Sequence, residues 1–551
     1  MPYRSARVDA PKLTPDAGIV DDMVRQFADR HAFLRELVQN GIDAGATRID
    51  VRLERSPDGA VRTSVEDDGA GMTRAIIEGP LLTLFESSKE SDSTKIGKYG
   101  IGFVSVFAIE PERVDVRTRR ANEAWIVRLF GDHSFELAED APRPGTGTEV
   151  TLLNTMTAES FAAHVAQAKT ALSRWCRHAH VPITFVALDG YEGAETTAIN
   201  EPLTLSGVVS VALTEGQERF VLAIGARESG SGPPHFDEAI NFGGFYNRGL
   251  TLMESANHGE DGLDGVRFKI ESPRLSHTLS RDSVRRDDES RRVLARVRSI
   301  VTNELWNELS ARLADAAEEA ATGSGTRFEA LFDAALLRQL AGKASDVPLP
   351  LVEPIAGRRT MPMRAFSTQS DAVLCVADES SALTRAMAST GRPVVRHSAL
   401  ALTLRRFTSK SVLLAREAFA FAAAMEERDE DRALVAELVP MLRAAGKRIA
   451  RARLAQFEGI ASDGSCRIVK TSDGFAITAP EDAMLRAWGG SATIFLNAEH
   501  ATVRLARRRA KSDAGVAAHL LARAILVGEG PLAAGVVDRM LQDAVRERRD
   551  G

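Results

Sequence analysis

The sequence predicts an α/β (α+β) chain of several domains, and three observations carry the prediction. At 551 residues the chain has room for about three or four domains. Its 44% hydrophobic content supplies apolar side chains for several cores. Near the start, a helical stripe of Phe33, Leu34, Leu37, Val38 and Ile42 gives way to alternation at Ile49-Val51-Leu53 and Val61-Thr63-Val65. The period of the pattern thus changes from that of a helix to that of a strand.

The first helix has a second face. Glu36, Asn40 and Asp43 stand at i, i+4 and i+7, away from the apolar stripe. A carboxylate, a carboxamide and a second carboxylate so placed suit water activation beside Mg2+, which takes few protein oxygens and keeps several waters. Taken alone, that spacing is also what a solvated helix face gives. The second strand runs into Asp67-Asp68-Gly69-Ala70-Gly71-Met72, where glycines let backbone approach a ligand closely. Ile96-Gly97-Lys98-Tyr99-Gly100-Ile101-Gly102-Phe103 follows and leads into an apolar, helix-like run. Glycines before a helix suit a phosphate cradle of backbone N–H groups. Gly147-Thr148-Glu149-Val150-Thr151-Leu152 begins another strand on a glycine. One glycine cluster more often makes a turn than a site; the helix and these segments in this order are far more specific.

In that order the segments resemble the GHKL ATPases, the fold shared by heat shock protein 90, DNA gyrase B, mismatch-repair MutL and histidine kinases. The Phe-Leu-Arg-Glu-Leu block at 33–37 with Asn40, Asp43 and Ala44, and the glycine block through 100–107, are most similar to heat shock protein 90. The resemblance implies ATP and Mg2+ as cofactors. It makes Glu36 the general base that orients the attacking water, Arg35 the residue that holds Glu36 idle before closure, and Asn40 the Mg2+ ligand. Asp67 would bind the adenine amino group with help from Thr148. Asp43, Ala44, Gly69, Gly71 and Met72 would line the pocket and let the nucleotide pack on backbone. Residues 86–102 would form a lid, with Gly97, Gly100, Ile101, Gly102 and Phe103 near the phosphates. Lys98 stands where the chaperones carry Gln and would reach a phosphate.

Two later stretches extend the resemblance. Phe245-Tyr246-Asn247-Arg248-Gly249-Leu250, Val266 to Ile270, and Leu279-Ser280-Arg281-Asp282 follow the order of the chaperone middle domain. Arg281 matches the arginine that reaches the γ-phosphate, where it would neutralise charge developing in the transition state. Ile494 to His500, followed by the Ala- and Leu-rich segment 514–527, resembles the C-terminal dimerisation domain, with Ala498 and Ala501 in place of its prolines. The resemblance implies an N-terminal GHKL two-layer α/β sandwich at 1–155 that binds ATP. A middle domain would occupy 156–430, with a linker helix at about 157–180, and a helical, α+β dimerisation domain 431–551. It implies an ATP-dependent molecular chaperone: a homodimeric clamp acting on client proteins, slow and gated by conformation. The competing expectation is a MutL-like or microrchidia-like nucleic-acid clamp or switch. That reading asks for a basic channel or clustered metal ligands in the last two-thirds, and the sequence displays neither.

Charge and composition bound the rest. A net charge of −6 argues against a dedicated nucleic-acid binder. The basic run of Arg504, Arg507, Arg508, Arg509 and Lys511 is expected to be a solvated helix face. Cysteines 176, 375 and 466 are too far apart in sequence for a CxxC or zinc motif and suit reduced thiols in a cytoplasmic protein. No Gly-x-x-x-x-Gly-Lys-Ser/Thr loop or HExxH occurs, and no apolar run suits a signal peptide or a spanning helix. His31 is expected at the surface or as a cap. Val181 to Phe185 is expected to open the middle domain, 205–285 to alternate as strands, and 286–321 to be helical up to Gly323. Residues 372–395 read as strand–helix–strand and 411–455 as helical. Around 514–527, Ala514, Val516, Ala517, Leu520, Leu521 and Ala524 form a stripe expected to pair two chains, with a second helix at 531–545.

Overall fold

The computed structural model describes residues 29–82, 102–190, 194–225, 236–276, 284–337, 346–367, 373–470, 474–478 and 492–527, apart from 121, 133, 142, 143, 407 and 409, together with Val536 and Gln542. The chain forms two compact units that meet in sequence at Leu305 and Trp306.

The first unit opens with helix α1, Ala32–Asp43, and strands β1, Ile49–Arg55, and β2, Ala60–Asp67. Strands β3, Arg113–Arg120, β4, Glu123–Phe130, β5, Phe135–Glu139, and β6, Gly147–Thr155, lead to helix α2, Ala158–Cys176, and strands β7, Ile183–Asp189, and β8, Glu195–Ala198. They make an eight-stranded sheet of order β5-β4-β3-β6-β2-β1-β7-β8. Phe33, Leu34 and Val38 of α1 and Phe161, Ala168 and Leu172 of α2 are buried with Val51, Leu53, Val114, Val116 and Leu152 of the sheet in one core. This is the α/β sandwich that the resemblance implies. α2 starts where Thr157 accepts a hydrogen bond from the Ser160 amide, an N-cap that satisfies one otherwise orphaned donor.

One expectation fails here. Val181 to Phe185 does not open a new layer: β7 pairs parallel with β1, Ile49 opposite Ile183. Ile183 and Phe185 are buried in the same core as α1 and α2, and that burial draws the strand into the first sheet.

The strands expected at 205–285 follow: β9, Val209–Glu215, β10, Glu218–Ile224, β11, Gly243–Asn247, β12, Leu250–Ser255, and β13, Val266–Glu271. Their sheet has the order β12-β11-β13-β10-β9. Helix α3, Asp288–Ile300, starts on a capping box between Asp287 and Ser290.

The second unit contains helices α4, Trp306–Ala320, and α5, Thr326–Leu337, and two five-stranded sheets. The expected strand–helix–strand at 372–395 is Val373–Ala377, Ala382–Ser389 and Val394–Arg396. Residues 411–455 depart from the helical reading. Ser411–Leu414 and Ala420–Ala424 are strands, only Asp429–Ala444 is a long helix, and Ile449–Gly459 is a strand. Ala420, Phe421 and Ala422 are buried between sheet neighbours, so tertiary packing overrides the helix preference of alanine. In the basic run Arg504, Arg508, Arg509 and Lys511 are exposed as expected, and Arg507 alone departs. Arg507 donates twice, at 2.7 and 2.9 Å, to the fully buried carboxylate of Asp431.

Helix Ala514–Val527 exists as expected, but its stripe divides. Ala517 and Leu521 belong to their own chain's core, whereas Leu520 is 52% exposed and Val527 54%. Of the helix expected at 531–545, all but Val536 and Gln542 lies outside the described residues.

Candidate nucleotide site

The register of the first sheet assembles the site. Asp67 of β2 lies opposite Thr148 of β6, and Thr148 lies opposite Thr118 of β3. These residues therefore form one row across the strand ends, pointing toward the helices. α1 passes over the row: a Cβ added to Gly41 would sit 3.1 Å from Cβ of Asp67. The Asp67 carboxylate accepts from the Gly69 amide at 2.8 Å. Burial raises its pKa above the ordinary aspartate value, against the pull of the Gly69 and Thr148 amides. Thr118 ties the next segment down: the Met72 amide donates to its hydroxyl at 2.7 Å, and that hydroxyl is 3.2 Å from the hydroxyl of Thr148. Sequence reasoning misses Thr118, since a threonine in an Arg-rich strand gives no signal until the register is known.

The glycines have a reason internal to the fold. At Gly71, φ is +66°, and a Cβ would lie 2.0 Å from the carbonyl oxygen of Arg119. At Gly147, φ is +136°, and a Cβ would meet the carbonyl of Asp67 at 2.1 Å. Gly69 is pressed between the Ala44 side chain and Asp67 Oδ1, each 2.8 Å from the point a Cβ would occupy, and Ala44 accepts from the Ala70 amide at 2.9 Å. At these three positions the protein's own atoms take the space that a Cβ would need.

On α1, Arg35 and Glu36 are buried, at 4% and 6% exposure, while Asn40 and Asp43 are exposed. The Arg35 guanidinium sits over the Trp175 ring, 4.9 Å from its centroid. The neighbouring Cys176 thiol is pushed up to about 12, chiefly by burial, with Arg35 acting downward and Glu36 upward. The three cysteines are free and buried. Asp43 pairs with Arg248 at 2.8 Å. Gly102 and Phe103 begin a 3-10 helix, Phe103–Ile109, whose Phe103 to Ala108 are buried and which packs on α1. Gly97, Lys98, Gly100, Ile101 and Arg281 lie outside the described residues.

His31, expected at the surface or as a cap, is instead buried at the start of α1 with no capping bond. Its Nε2 is 2.8 Å from Nδ1 of His164 on α2, whose Nε2 is 2.9 Å from Oγ1 of Thr63 on β2. Burial lowers both imidazole pKa values, that of His164 to about 4 with help from His31. A separate hollow of about 420 Å3 is lined by Arg48, Glu66, Asp68, Arg119 and Asp67. Glu66 and Arg119 alternate with Asp67 and Thr118 along their strands, so most of that hollow belongs to the sheet's other face.

Residues 30–142 match the family model described as histidine kinase-, DNA gyrase B-, and HSP90-like ATPase. Residues 30–142 are thus similar to the ATPase domains of this family. Among similar proteins, chaperone protein HtpG of Methylobacterium sp. (strain 4-46) is 31% identical over 203 residues, covering 31% of this chain and 33% of the relative. HtpG of Mesorhizobium japonicum is 30% identical over 201 residues, 31% of each chain. HtpG of Gluconobacter oxydans is 29% identical over 207 residues, 32% and 33% respectively. The chain thus matches about a third of the length of these curated relatives. Among the described residues no helix is long and apolar enough to cross a membrane.

Proposed function

We propose that this chain is an ATP-driven molecular chaperone of the heat shock protein 90 type, working in the cytoplasm on client proteins. The observation that carries the reading is the row Asp67–Thr148–Thr118 beneath α1, the helix of Glu36 and Asn40, within a domain similar to those of proteins named HtpG. The residues fit a nucleotide. Asp67 offers a half-buried acceptor for the adenine amine. Asn40, exposed one turn from Glu36, suits a hydrated Mg2+, which needs few protein ligands. The ion, when bound, neutralises charge on the transferring phosphoryl group. Glu36 takes the proton of the attacking water. Asp43 and Ala44 close the end of the helix over the pocket. Gly97, Lys98, Gly100, Ile101, Gly102 and Phe103 contact the phosphates, and Arg281 from the following region reaches the γ-phosphate.

The low exposure of Glu36 supports gating, since an occluded base acts only after a rearrangement. Arg35, stacked on Trp175, holds this turn of α1 in its resting position. Residues 431–551 pair two copies through the outward face of the helix 514–527, where Leu520 and Val527 are exposed. A two-fold contact uses the same patch on both copies.

The deciding experiment is steady-state ATP hydrolysis with a parallel binding titration. Glu36→Ala is expected to bind ATP as the parent does and to hydrolyse it about 10²–10⁴-fold more slowly, the usual worth of a positioned general base. Hydrolysis at the parent rate would remove Glu36 from the chemistry.

A further inference from the structure

The hairpin between β11 and β12 turns at Arg248 and Gly249, both with left-handed backbone, φ +50° and +76°. Gly249 is there of necessity, because a Cβ would lie 1.8 Å from the carbonyl oxygen of His178. Arg248 is a residue with a long side chain in a region that such residues uncommonly adopt, and outliers of that kind gather at functional positions.

The hairpin behind this turn is firmly held. The Tyr246 hydroxyl donates to Glu254 at 2.6 Å, and Arg177 donates to the same carboxylate oxygen at 2.8 Å. Thr251 donates to the carbonyl of Arg174 at 2.9 Å. Arg174 and Arg177 belong to the end of α2, so the hairpin is fixed to the helix that packs beside α1. From this base two side chains reach in different directions. Arg248 Nη1 lies 2.8 Å from Oδ1 of Asp43, the last residue of α1. Asn247 donates to the carbonyls of Pro273 and Leu275, at 3.2 and 2.8 Å. Those carbonyls belong to the stretch that leads from β13 to residue 276, five residues before Arg281 in the sequence.

We propose that Arg248 is a positioning residue for ATP turnover: its pair with Asp43 fastens the last turn of the nucleotide helix to a hairpin whose neighbouring residue, Asn247, holds the carbonyls of Pro273 and Leu275. It acts through Asp43 and touches no reacting atom. The proposal rests on the ATPase reading above. Since Asn40 lies one turn before Asp43, a shift of that turn changes the placement of Asn40 and Glu36 relative to the phosphates. The pair spans 205 residues of sequence, so it ties together two elements that neighbouring chain does not join.

The test is Arg248→Gly beside Arg248→Lys. Glycine relieves the left-handed backbone, so thermal stability is expected to hold or rise while kcat falls about two- to fivefold with unchanged KM for ATP, the range expected of an exposed ion pair. Lysine keeps the charge and is expected to recover most of kcat. A kcat in Arg248→Gly equal to that of the parent overturns the proposal. So does equal impairment in both variants, or a fall in stability and affinity that accounts for the lost rate. Glu36→Ala serves as the control for the underlying reading: if the parent turns over ATP no faster than this variant, the ATPase reading has failed, and the pair is judged by hydrogen exchange instead. The amides of Ala44, Gly45 and Ala46, bonded to Asn40, Ile42 and Gly41, are then expected to exchange severalfold faster in Arg248→Gly, and unchanged exchange overturns the proposal.

Discussion

The buried pair of His31 and His164 makes the first unit acid-sensitive. His164 is 5% exposed, with His31 on one ring nitrogen and Thr63 on the other at 2.8 and 2.9 Å. A charge on this ring loses its hydration and faces a second imidazole, so its pKa falls from 6.5 to about 4. A depressed folded-state pKa contributes stability that is present above 6.5 and is lost as pH falls toward 4. Between pH 7 and pH 5 the loss is about 2 kcal/mol, or about 30-fold in the opening equilibrium. His31, lowered mainly by burial, adds loss of the same sign. Hydrogen exchange of segments 32–43 and 158–176, corrected for intrinsic rates, reads the effect directly. The parent is expected to lose about 30-fold protection over that interval. His164→Gln keeps polar atoms in place without titrating and is expected to lose far less. His178, also buried and lowered to about 3, chiefly by that burial and then by Lys269, is present in both proteins, so its contribution cancels in the comparison. An equal loss in parent and variant would refute the assignment of the acid sensitivity to His164.

Two further outcomes follow from the site and the last helix. Asp67→Asn is expected to weaken ATP at least about tenfold in a calorimetric titration, the usual worth of a hydrogen bond to a charged group. Burial raises the pKa of Asp67, so for the parent ATP affinity is expected to fall on acidification starting above pH 3.8, and the variant to lack that dependence. Leu520→Asp, on an exposed position, is expected to halve the mass seen by sedimentation equilibrium with no loss of thermal stability. A parent that is already monomeric at micromolar concentration with ATP would sink the dimer, whereas Leu521→Asp would say nothing of it, because Leu521 is fully buried in its own core.

Local pattern carries the first unit well. α1, β1, β2, β6 and α2 lie where the apolar periods place them, because each is amphipathic and each meets one core. Period alone does not reveal which sheet a strand joins. Ile183 and Phe185 alternate as any half-buried strand does, and only the parallel pairing with β1 assigns them to the first layer. The same limit hides Thr118, whose role comes from a neighbour thirty positions later, and Arg248, whose partner is 205 residues away. His31 departs from expectation because its ring partner, His164, comes from α2, 133 residues away. The alanines at 420–424 mislead in the opposite direction, since strong helix formers serve as strand residues where a sheet on both sides fixes the backbone.

The three consecutive acids at and just past the end of β2 show how much of this site is register. Glu66, Asp67 and Asp68 are chemically close, yet each has a different task. Glu66 faces Arg119 at 3.7 Å across the sheet. Asp68 accepts from the amides of Thr47 and Arg48 and from the Thr47 hydroxyl, at 2.6 to 2.9 Å, and so fixes the turn between α1 and β1. Only Asp67 points under α1. A slip of one residue would exchange these tasks, because strand side chains alternate with period two. Gly147 and Gly71 oppose such a slip, since their left-handed backbone allows contacts with Asp67 and Arg119 that a Cβ would block. The glycines that in sequence suggest ligand approach therefore act first on the protein itself. They lock the register that leaves one carboxylate of three half-buried, raised in pKa, and set below the helix that bears Glu36.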